Sequence, residues 1–324
     1  MTSCVSKVDF LNSYWRKLQD AGWTALILHD WEKVPHQITN DVDYVVSGPG
    51  LVELVDTLRD HCGNHGWRMA QILEHEVGAV SCICIQKTAP FDSVSLDVTW
   101  DYRRKGMLLI ENKVLVKDAW QPPGKGFSVP SPQVEFLYRL LKTAAKNKEI
   151  ATSPILVTAL MDLVNEHFEA VKNLVKEEIG IEMKPYHKGS EEVAYLNDLL
   201  AHSYFTKVRE GREFGVHELW RIWRRIVEPT GLIVSDSIGL SLEEKKRLLS
   251  VLRELFRRHH VMDDGITFPK SWIARRMSTL VVQSSGKGMK GDFIAQASEM
   301  DENLEKIIQW MGDRVDQRWA RRRD

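Results

Sequence analysis

Two aspartates separated by a single residue, Asp41 and Asp43, stand at the start of an apolar run that follows a polar loop. In a β-strand the residues at positions i and i+2 point to the same face, so the two carboxylates are predicted side by side while Val42 turns the other way. Neighbouring carboxylates repel each other unless a cation lies between them. Proteins commonly hold Mg²⁺ with one or two carboxylates together with phosphate oxygens. The pair therefore predicts a site for Mg²⁺ or Mn²⁺, and the alternative is a solvated strand edge.

A third aspartate follows on a later predicted strand. The segment 93–99 (SVSLDVT) alternates polar with apolar residues, which indicates a strand with one buried face and places Asp97 on the polar face. Asp92 and Asp101 lie close by, but only Asp97 stands between two apolar residues of the alternating run. Three carboxylates on adjacent strands predict a clamp for two divalent cations.

The order of a strand, a loop, an Asp-Val-Asp strand and a later Asp strand resembles the nucleotidyltransferase superfamily to which DNA polymerase beta belongs. The motif at 40–43 (NDVD), followed by apolar residues, is more closely similar to bacterial nucleotidyltransferase-like proteins found with polysaccharide-biosynthesis genes. The similarity spans residues 20–115. One position departs from the pattern, because the superfamily has Gly-Gly or Gly-Ser at the first turn and this chain has His29 and Asp30.

This resemblance implies an α+β fold, with a mixed sheet and flanking helices, and a nucleoside triphosphate as substrate. The nucleoside monophosphate would pass to an acceptor hydroxyl or phosphate, with release of pyrophosphate. Asp41 and Asp43 would hold Mg²⁺ or Mn²⁺ on the triphosphate, while Asp97 would complete a second metal site near the acceptor and take its proton. The association with polysaccharide-biosynthesis genes further implies a small acceptor, such as a sugar or polyol phosphate.

Four further residues are candidates for contacts with the nucleotide. His29 and Asp30 occupy the position of the phosphate-binding turn, and the alternative is that they only shape the loop. Lys142 and Lys146 lie one turn apart on a predicted helix that follows the nucleotidyltransferase-like unit. Because a helical domain commonly covers the nucleotide in this superfamily, these lysines are expected at the phosphates, with a solvated helix face as the alternative.

Two features favour a different function, that of a catalytically inactive nucleotidyltransferase-fold protein acting in binding or as a scaffold. The first is the His-Asp pair at the turn, because the small residues usual there let the backbone approach the triphosphate. The second is the segment 228–260, which resembles a kinase-like P-loop module fused to some relatives. A working P-loop has the pattern G-x-x-x-x-G-K-[ST], and this segment lacks the Lys at the required place. We therefore predict that any such module is degenerate.

The composition limits the classes of partner. The 324-residue chain carries 44 Lys plus Arg against 45 Asp plus Glu, which argues against a nucleic-acid-binding protein that relies on bulk charge. The four cysteines lack the spacing of a metal site, and no apolar run approaches the ~18 residues of a membrane helix. We expect a cytoplasmic protein with reduced cysteines and no membrane contact.

The chain is predicted to divide at the segment 121–126 (QPPGKG), which is too rich in Pro and Gly to sustain a helix or strand. Residues 1–122 carry the expected nucleotidyltransferase-like domain, and residues 123–324 carry a mainly helical domain. Within the second domain, the spacing of apolar residues predicts long helices over 154–179 and 300–323.

Overall fold

The structure is a computed structural model that describes most of the first half of the chain and separate parts of the second half. The described residues are 4–38, 41–104, 106–146, 153–185, 192–203, 219, 221–223, 228, 230–236, 240–256, 258–262, 270, 273–274, 276, 279–284, 292–295 and 300–321. Asn40 of the predicted motif lies outside them.

Helices and strands are numbered here in chain order over the described residues. The helices are α1 (Lys7–Asp20), α2 (Leu51–Asn64), α3 (Asn112–Leu115), α4 (Pro132–Ala145), α5 (Pro154–Ile179), α6 (Glu192–Ser203), α7 (Leu242–Leu252) and α8 (Met300–Ala320). The strands are β1 (Thr24–Ile27), β2 (Asp41–Ser47), β3 (Trp67–Glu76), β4 (Ala79–Gln86), β5 (Ser93–Thr99), β6 (Tyr102–Arg104), β7 (Met107–Ile110), β8 (Leu232–Asp236), β9 (Arg258–Met262), β10 (Thr279–Ser284) and β11 (Phe293–Ala295).

The first sheet is mixed and has the strand order β1-β2-β5-β4-β3. Strands β2 and β5 run parallel, whereas the other three neighbouring pairs are antiparallel. The parallel pair carries the aspartates singled out above. Both strands are interior strands of the sheet, so their backbone groups are paired on both sides and the side chains are held at fixed positions.

One face of this sheet is covered by α1 and α2. Five apolar residues of α1 recur at helical spacing and are buried, which gives this helix a single core-facing stripe (Phe10, Leu11, Tyr14, Trp15 and Leu18). Val42 of β2 and Leu96 of β5 point into the same core. Because side chains alternate along a strand, burial of Val42 and Leu96 forces the residues beside them to the opposite face.

The opposite face is covered by different elements over its two edges. Helix α4 packs over β1 and β2, where its apolar face meets Leu26, Leu28 and Val45. Over β4, Ile83 and Ile85 pack against apolar residues of β8, α7, β10 and α8. The predicted acids lie on the strands between these two covered regions, on the face that α1 and α2 leave free.

The second half of the chain contains a sheet that the sequence analysis did not predict. Its four strands have the order β11-β8-β10-β9 and all run parallel. Strand β8 is followed by α7, which is the strand-then-helix order expected of a P-loop module. Residues 237–239, which connect the two and belong to the predicted degenerate segment, lie outside the described residues.

The last helix, α8, packs back on the first sheet. Arg68 of β3 donates hydrogen bonds to the Gln309 carbonyl oxygen at 2.8 Å and to Asp313 Oδ1 at 2.9 Å. The Arg68 side chain reaches them by crossing Gly312, where an added Cβ would lie 2.1 Å from Arg68 Cδ. A glycine at this helical position therefore makes room for the contact between the two halves of the chain.

These observations confirm the predicted fold class, which is α+β with a mixed sheet and flanking helices. The predicted helix over 154–179 has the observed bounds of α5, and the predicted helix over 300–323 is observed as α8. The expected mainly helical second half is observed to contain the parallel sheet in addition to its helices. Among the helices described here, none combines the length and the apolar character that a membrane span requires.

Candidate metal and nucleotide site

The three aspartates come together at the parallel strand pair. In the register of β2 and β5, Asp43 lies directly beside Asp97 and Asp41 lies beside Ser95. One carboxylate oxygen from each of Asp41, Asp43 and Asp97 falls within 4.8 Å of the other two. The sequence prediction that the third acid would join the first two therefore agrees with the geometry.

The acids open into a cleft of about 260 Å³. Its floor is the face of β2, β4 and β5 that α1 and α2 do not cover, and one wall is α4, which contributes Tyr138 and Lys142. The β6–β7 hairpin adds further side chains from Tyr102, Arg103 and Arg104. The register of β2 and β5 brings the three acids together, and the packing of α4 over β1 and β2 brings Lys142 next to them.

Asp97 is in an environment that disfavours its charge. Burial raises the pKa of its carboxyl to about 7, the negative charges of Asp41 and Asp43 add to this rise, and a hydrogen bond from Ser81 opposes it. Asp97 Oδ1 is buried and has no hydrogen-bond partner among the described residues. A buried oxygen that accepts no hydrogen bond is free to bind a cation, and two other carboxylates lie next to it. Three carboxylates are ligands that suit a hard divalent cation, so these residues fit Mg²⁺ or Mn²⁺.

Asp43 is in the opposite situation, because two polar side chains contact it and one of them, Lys142, donates to it. His29 Nε2 and Lys142 Nζ each lie 2.8 Å from Asp43 Oδ2. Burial alone would raise the pKa of this carboxyl, but the His29 hydrogen bond and the Lys142 charge outweigh it and hold the pKa well below its usual range. Asp43 is therefore an ionised carboxylate that is already paired with the Lys142 ammonium.

His29 is held in place by its neighbours. Its Nδ1 lies 2.9 Å from Asp30 Oδ2, and its ring stacks near Tyr138 with centroids 6.1 Å apart. Asp30 has a left-handed backbone with φ 54° and also pairs with Lys33 at 3.1 Å. Of the two residues at the predicted phosphate turn, only His29 lines the cleft, whereas Asp30 lies beside it and orients the imidazole.

Four cationic side chains line the cleft (Lys142, Lys146, Arg103 and Arg104). The two lysines were candidates from the sequence, and both line the cleft. The two arginines, Tyr102 and Tyr138 also line it but were not predicted from the sequence. Arg103 and Arg104 lie only a few residues after the Asp97 strand in the sequence. This short separation from a predicted metal ligand could have identified them as candidates.

A second cavity of about 440 Å³ adjoins the cleft. Glu76 and Ala79, which flank the β3–β4 turn, line both spaces. Its walls include Trp100, Leu51 and Val80, so it is more apolar than the cleft. The cleft that contains the acid triad therefore has a second, more apolar cavity next to it.

Comparisons with known proteins find no family model and no curated protein that matches the chain. A solved structure described as a "putative nucleotidyltransferase" from Helicobacter pylori aligns over 63% of this chain and 96% of its own, with 9% identity and a TM-score of 0.29. The structure of JHP933 from Helicobacter pylori aligns over 64% and 94%, with 9% identity and a TM-score of 0.28. At these TM-scores the likeness carries no argument about function.

Proposed function

We propose that this chain is a metal-dependent nucleotidyltransferase that moves a nucleoside monophosphate from a nucleoside triphosphate to an acceptor hydroxyl or phosphate. The observation that carries the proposal is the acid triad of Asp41, Asp43 and Asp97, whose ligand oxygens lie within 4.8 Å of one another. The sequence resemblance described above supplies the reaction class. The triad and the cationic cleft are the features that such a reaction requires.

The three aspartates would hold Mg²⁺ or Mn²⁺ in this reaction. The bound cation would neutralise the charge on the phosphate oxygens and on the departing pyrophosphate. The acceptor oxygen forms a bond to the α-phosphorus while the bond from that phosphorus to the β-bridging oxygen breaks. We assign the proton of the acceptor hydroxyl to ionised Asp97, because its carboxylate lines the cleft beside the other two acids.

The cationic side chains would bind the triphosphate. Lys142, Lys146, Arg103 and Arg104 line the same cleft as the acids, and ammonium and guanidinium groups both pair with phosphate oxygens. We assign the acceptor to the adjoining cavity beside Trp100, because it shares Glu76 and Ala79 with the cleft that contains the acid triad. The sequence resemblance makes a sugar or polyol phosphate the proposed acceptor class. Residues 1–122 would form the catalytic unit, with residues 123–324 supplying the lysines.

A nucleotide assay tests this proposal. The protein is incubated with Mg²⁺, each of ATP, CTP, GTP and UTP, and a mixture of sugar and polyol phosphates, and pyrophosphate is measured. D41N and D43N should each lower pyrophosphate release at least 100-fold without loss of folded structure. D92N is the matched control, because Asp92 is an exposed carboxylate outside the cleft. Pyrophosphate release that is Mg²⁺-independent or unchanged in D41N and D43N would refute the proposal.

One observation favours the alternative of a binding or scaffold protein without catalysis. Asp43 already has Lys142 and His29 within 2.8 Å, so part of the acid charge is neutralised by the protein itself. Titration calorimetry with the four triphosphates and Mg²⁺ separates the two functions. Heat from at least one nucleotide supports the enzyme, and no heat from any of them supports the scaffold.

A further inference from the structure

Three polar atoms beside the triad form a closed triangle. Lys142 Nζ lies 2.8 Å from Asp43 Oδ2 and 2.8 Å from His29 Nε2, and His29 Nε2 itself lies 2.8 Å from Asp43 Oδ2. The side chains of all three residues are about a quarter exposed, so water competes only in part for these contacts. The triangle lies at the edge of the acid triad, because it includes the carboxylate of Asp43.

The three contacts of this triangle cannot all be favourable at once. An ammonium group only donates hydrogen bonds, an ionised carboxylate only accepts them, and an imidazole nitrogen does one or the other. If Nε2 carries a hydrogen, it meets the Lys142 ammonium donor to donor. If Nε2 lacks one, it meets the Asp43 carboxylate acceptor to acceptor. In either state one of the three contacts is unfavourable, so the triangle does not satisfy all three groups at once.

Lys142 is the member that can leave. His29 is fixed by Asp30 on its other ring nitrogen, and Asp43 is fixed by its position in an interior strand. Lys142 reaches the triangle on a flexible four-carbon side chain from α4 and passes over the Tyr138 ring, with its Nζ 5.2 Å from the ring centroid. The same cleft contains Lys146 one turn further along, together with the hairpin arginines, where phosphate groups would be attracted.

We propose that Lys142 is an internal counter-ion that occupies Asp43 in the metal-free protein and is displaced when a divalent cation binds the triad. The displaced ammonium then pairs with the phosphates of the incoming triphosphate. This inference rests on the proposed function for the metal and the nucleotide, but it assigns Lys142 two successive partners. Lys142 is thus a positioning residue that links occupancy of the metal site to binding of the phosphates.

Binding measurements on the full chain test this exchange without any catalytic readout. Mn²⁺ affinity is measured by electron paramagnetic resonance for wild type, K142M and K142R in the absence of nucleotide. Because K142M removes a charged hydrogen-bond partner that the metal must displace, Mn²⁺ should bind about tenfold more tightly to K142M. K142R keeps a cation at the site and should remain close to wild type. Thermal melting with EDTA checks that each variant is folded.

K146M is the matched control. It removes the same charge from the same cleft and the same helix end, so it reports the general effect of net charge on Mn²⁺ binding. We expect K146M to change Mn²⁺ affinity less than threefold. Equal tightening in K146M and K142M, or no tightening in K142M, would overturn the proposal.

A second measurement uses inorganic tripolyphosphate as the probe, since it presents the phosphates without a base. In the presence of saturating Mn²⁺, K142M should bind tripolyphosphate several-fold more weakly than wild type, which is the opposite sign to its effect on Mn²⁺ alone. A purely structural role would move both affinities in the same direction, and that result would also overturn the proposal.

The wild-type result separates this proposal from the proposed function. If wild type binds Mn²⁺ and K142M binds it equally, the role of Lys142 is wrong and the metal site stands. If only K142M binds Mn²⁺, the cation does not displace Lys142 in wild type, and the proposed exchange is overturned. If neither protein binds Mn²⁺, the exchange is likewise overturned. In both cases the pyrophosphate assay described above decides the proposed function.

Discussion

Replacing Asp97 with Asn should stabilise the metal-free protein, and by an amount that depends on pH. The pKa of this carboxyl is 3.8 in an unfolded chain and about 7 in the folded protein. Between these two values the unfolded state binds fewer protons than the folded state at this residue. Stability therefore falls as pH rises from about 4 to about 7, because the folded protein must either keep the proton or bury the charge.

The magnitude follows from the size of the shift. Each pKa unit corresponds to about 1.4 kcal/mol, so a rise from 3.8 to about 7 costs up to about 4 kcal/mol of folding stability above pH 7. This is an upper bound, because water entering the cleft would relieve part of it. An Asn at this position keeps the volume and an oxygen that can accept from Ser81, but it never carries the charge. The gain in folding stability of D97N over wild type should fall at pH 5 to less than half of its value at pH 8, and it should vanish below pH 4.

Urea denaturation in EDTA, followed by tryptophan fluorescence at pH 4, 5, 6, 7 and 8, measures this gain. D92N is the control, since Asp92 is exposed and its substitution should change stability by no more than about 0.5 kcal/mol at any pH. Comparison at each pH removes the contributions of all other titrating groups. If D97N is no more stable than wild type at pH 8, or gains equally at pH 4 and pH 8, the placement of Asp97 as a buried, charge-crowded acid is wrong.

Two further predictions follow from the same electrostatics. Mn²⁺ binding at pH 6.5 should release up to about three-quarters of a proton, because a cation at the triad lowers the raised pKa of Asp97. Calorimetry in buffers of different ionisation enthalpy measures this release, and proton release that persists in D97N would contradict the prediction. His61 is buried against the Phe10 carbonyl oxygen at 2.9 Å, and burial lowers its pKa from 6.5 to about 4. The unfolded state therefore gains a proton first as pH falls, and wild type should lose up to about 3 kcal/mol between pH 6.5 and 4. In urea titrations this loss should be absent from H61Q, and an unchanged pH slope in H61Q would contradict the assignment.

The acid site was predictable because it depends on local rules. Alternation along a strand is enough to place Asp41 and Asp43 on one face and Asp97 on the polar face of its own strand. That these strands are neighbours came from the resemblance, since strand order is a long-range property that alternation does not determine. The register that sets Asp43 beside Asp97 agrees with this expectation.

Other features were out of reach of the sequence for physical reasons. The lysines were selected on a helix, but the contact between Lys142 and Asp43 joins residues 99 positions apart and depends on how α4 packs over β1 and β2. The second sheet was missed because its strands are short and mixed in composition, as in β9 (RHHVM), and short apolar runs do not distinguish a strand from a buried helix. Its parallel pairing gives no local hairpin signal either.

Diffraction from crystals soaked with Mn²⁺ and a non-hydrolysable nucleoside triphosphate would show whether the three aspartates bind a divalent cation. We predict an anomalous peak bounded by Asp41, Asp43 and Asp97, with the Lys142 ammonium moved from Asp43 to a phosphate oxygen. An absence of any peak at the triad, with Lys142 still on Asp43 while nucleotide is bound elsewhere, would contradict it.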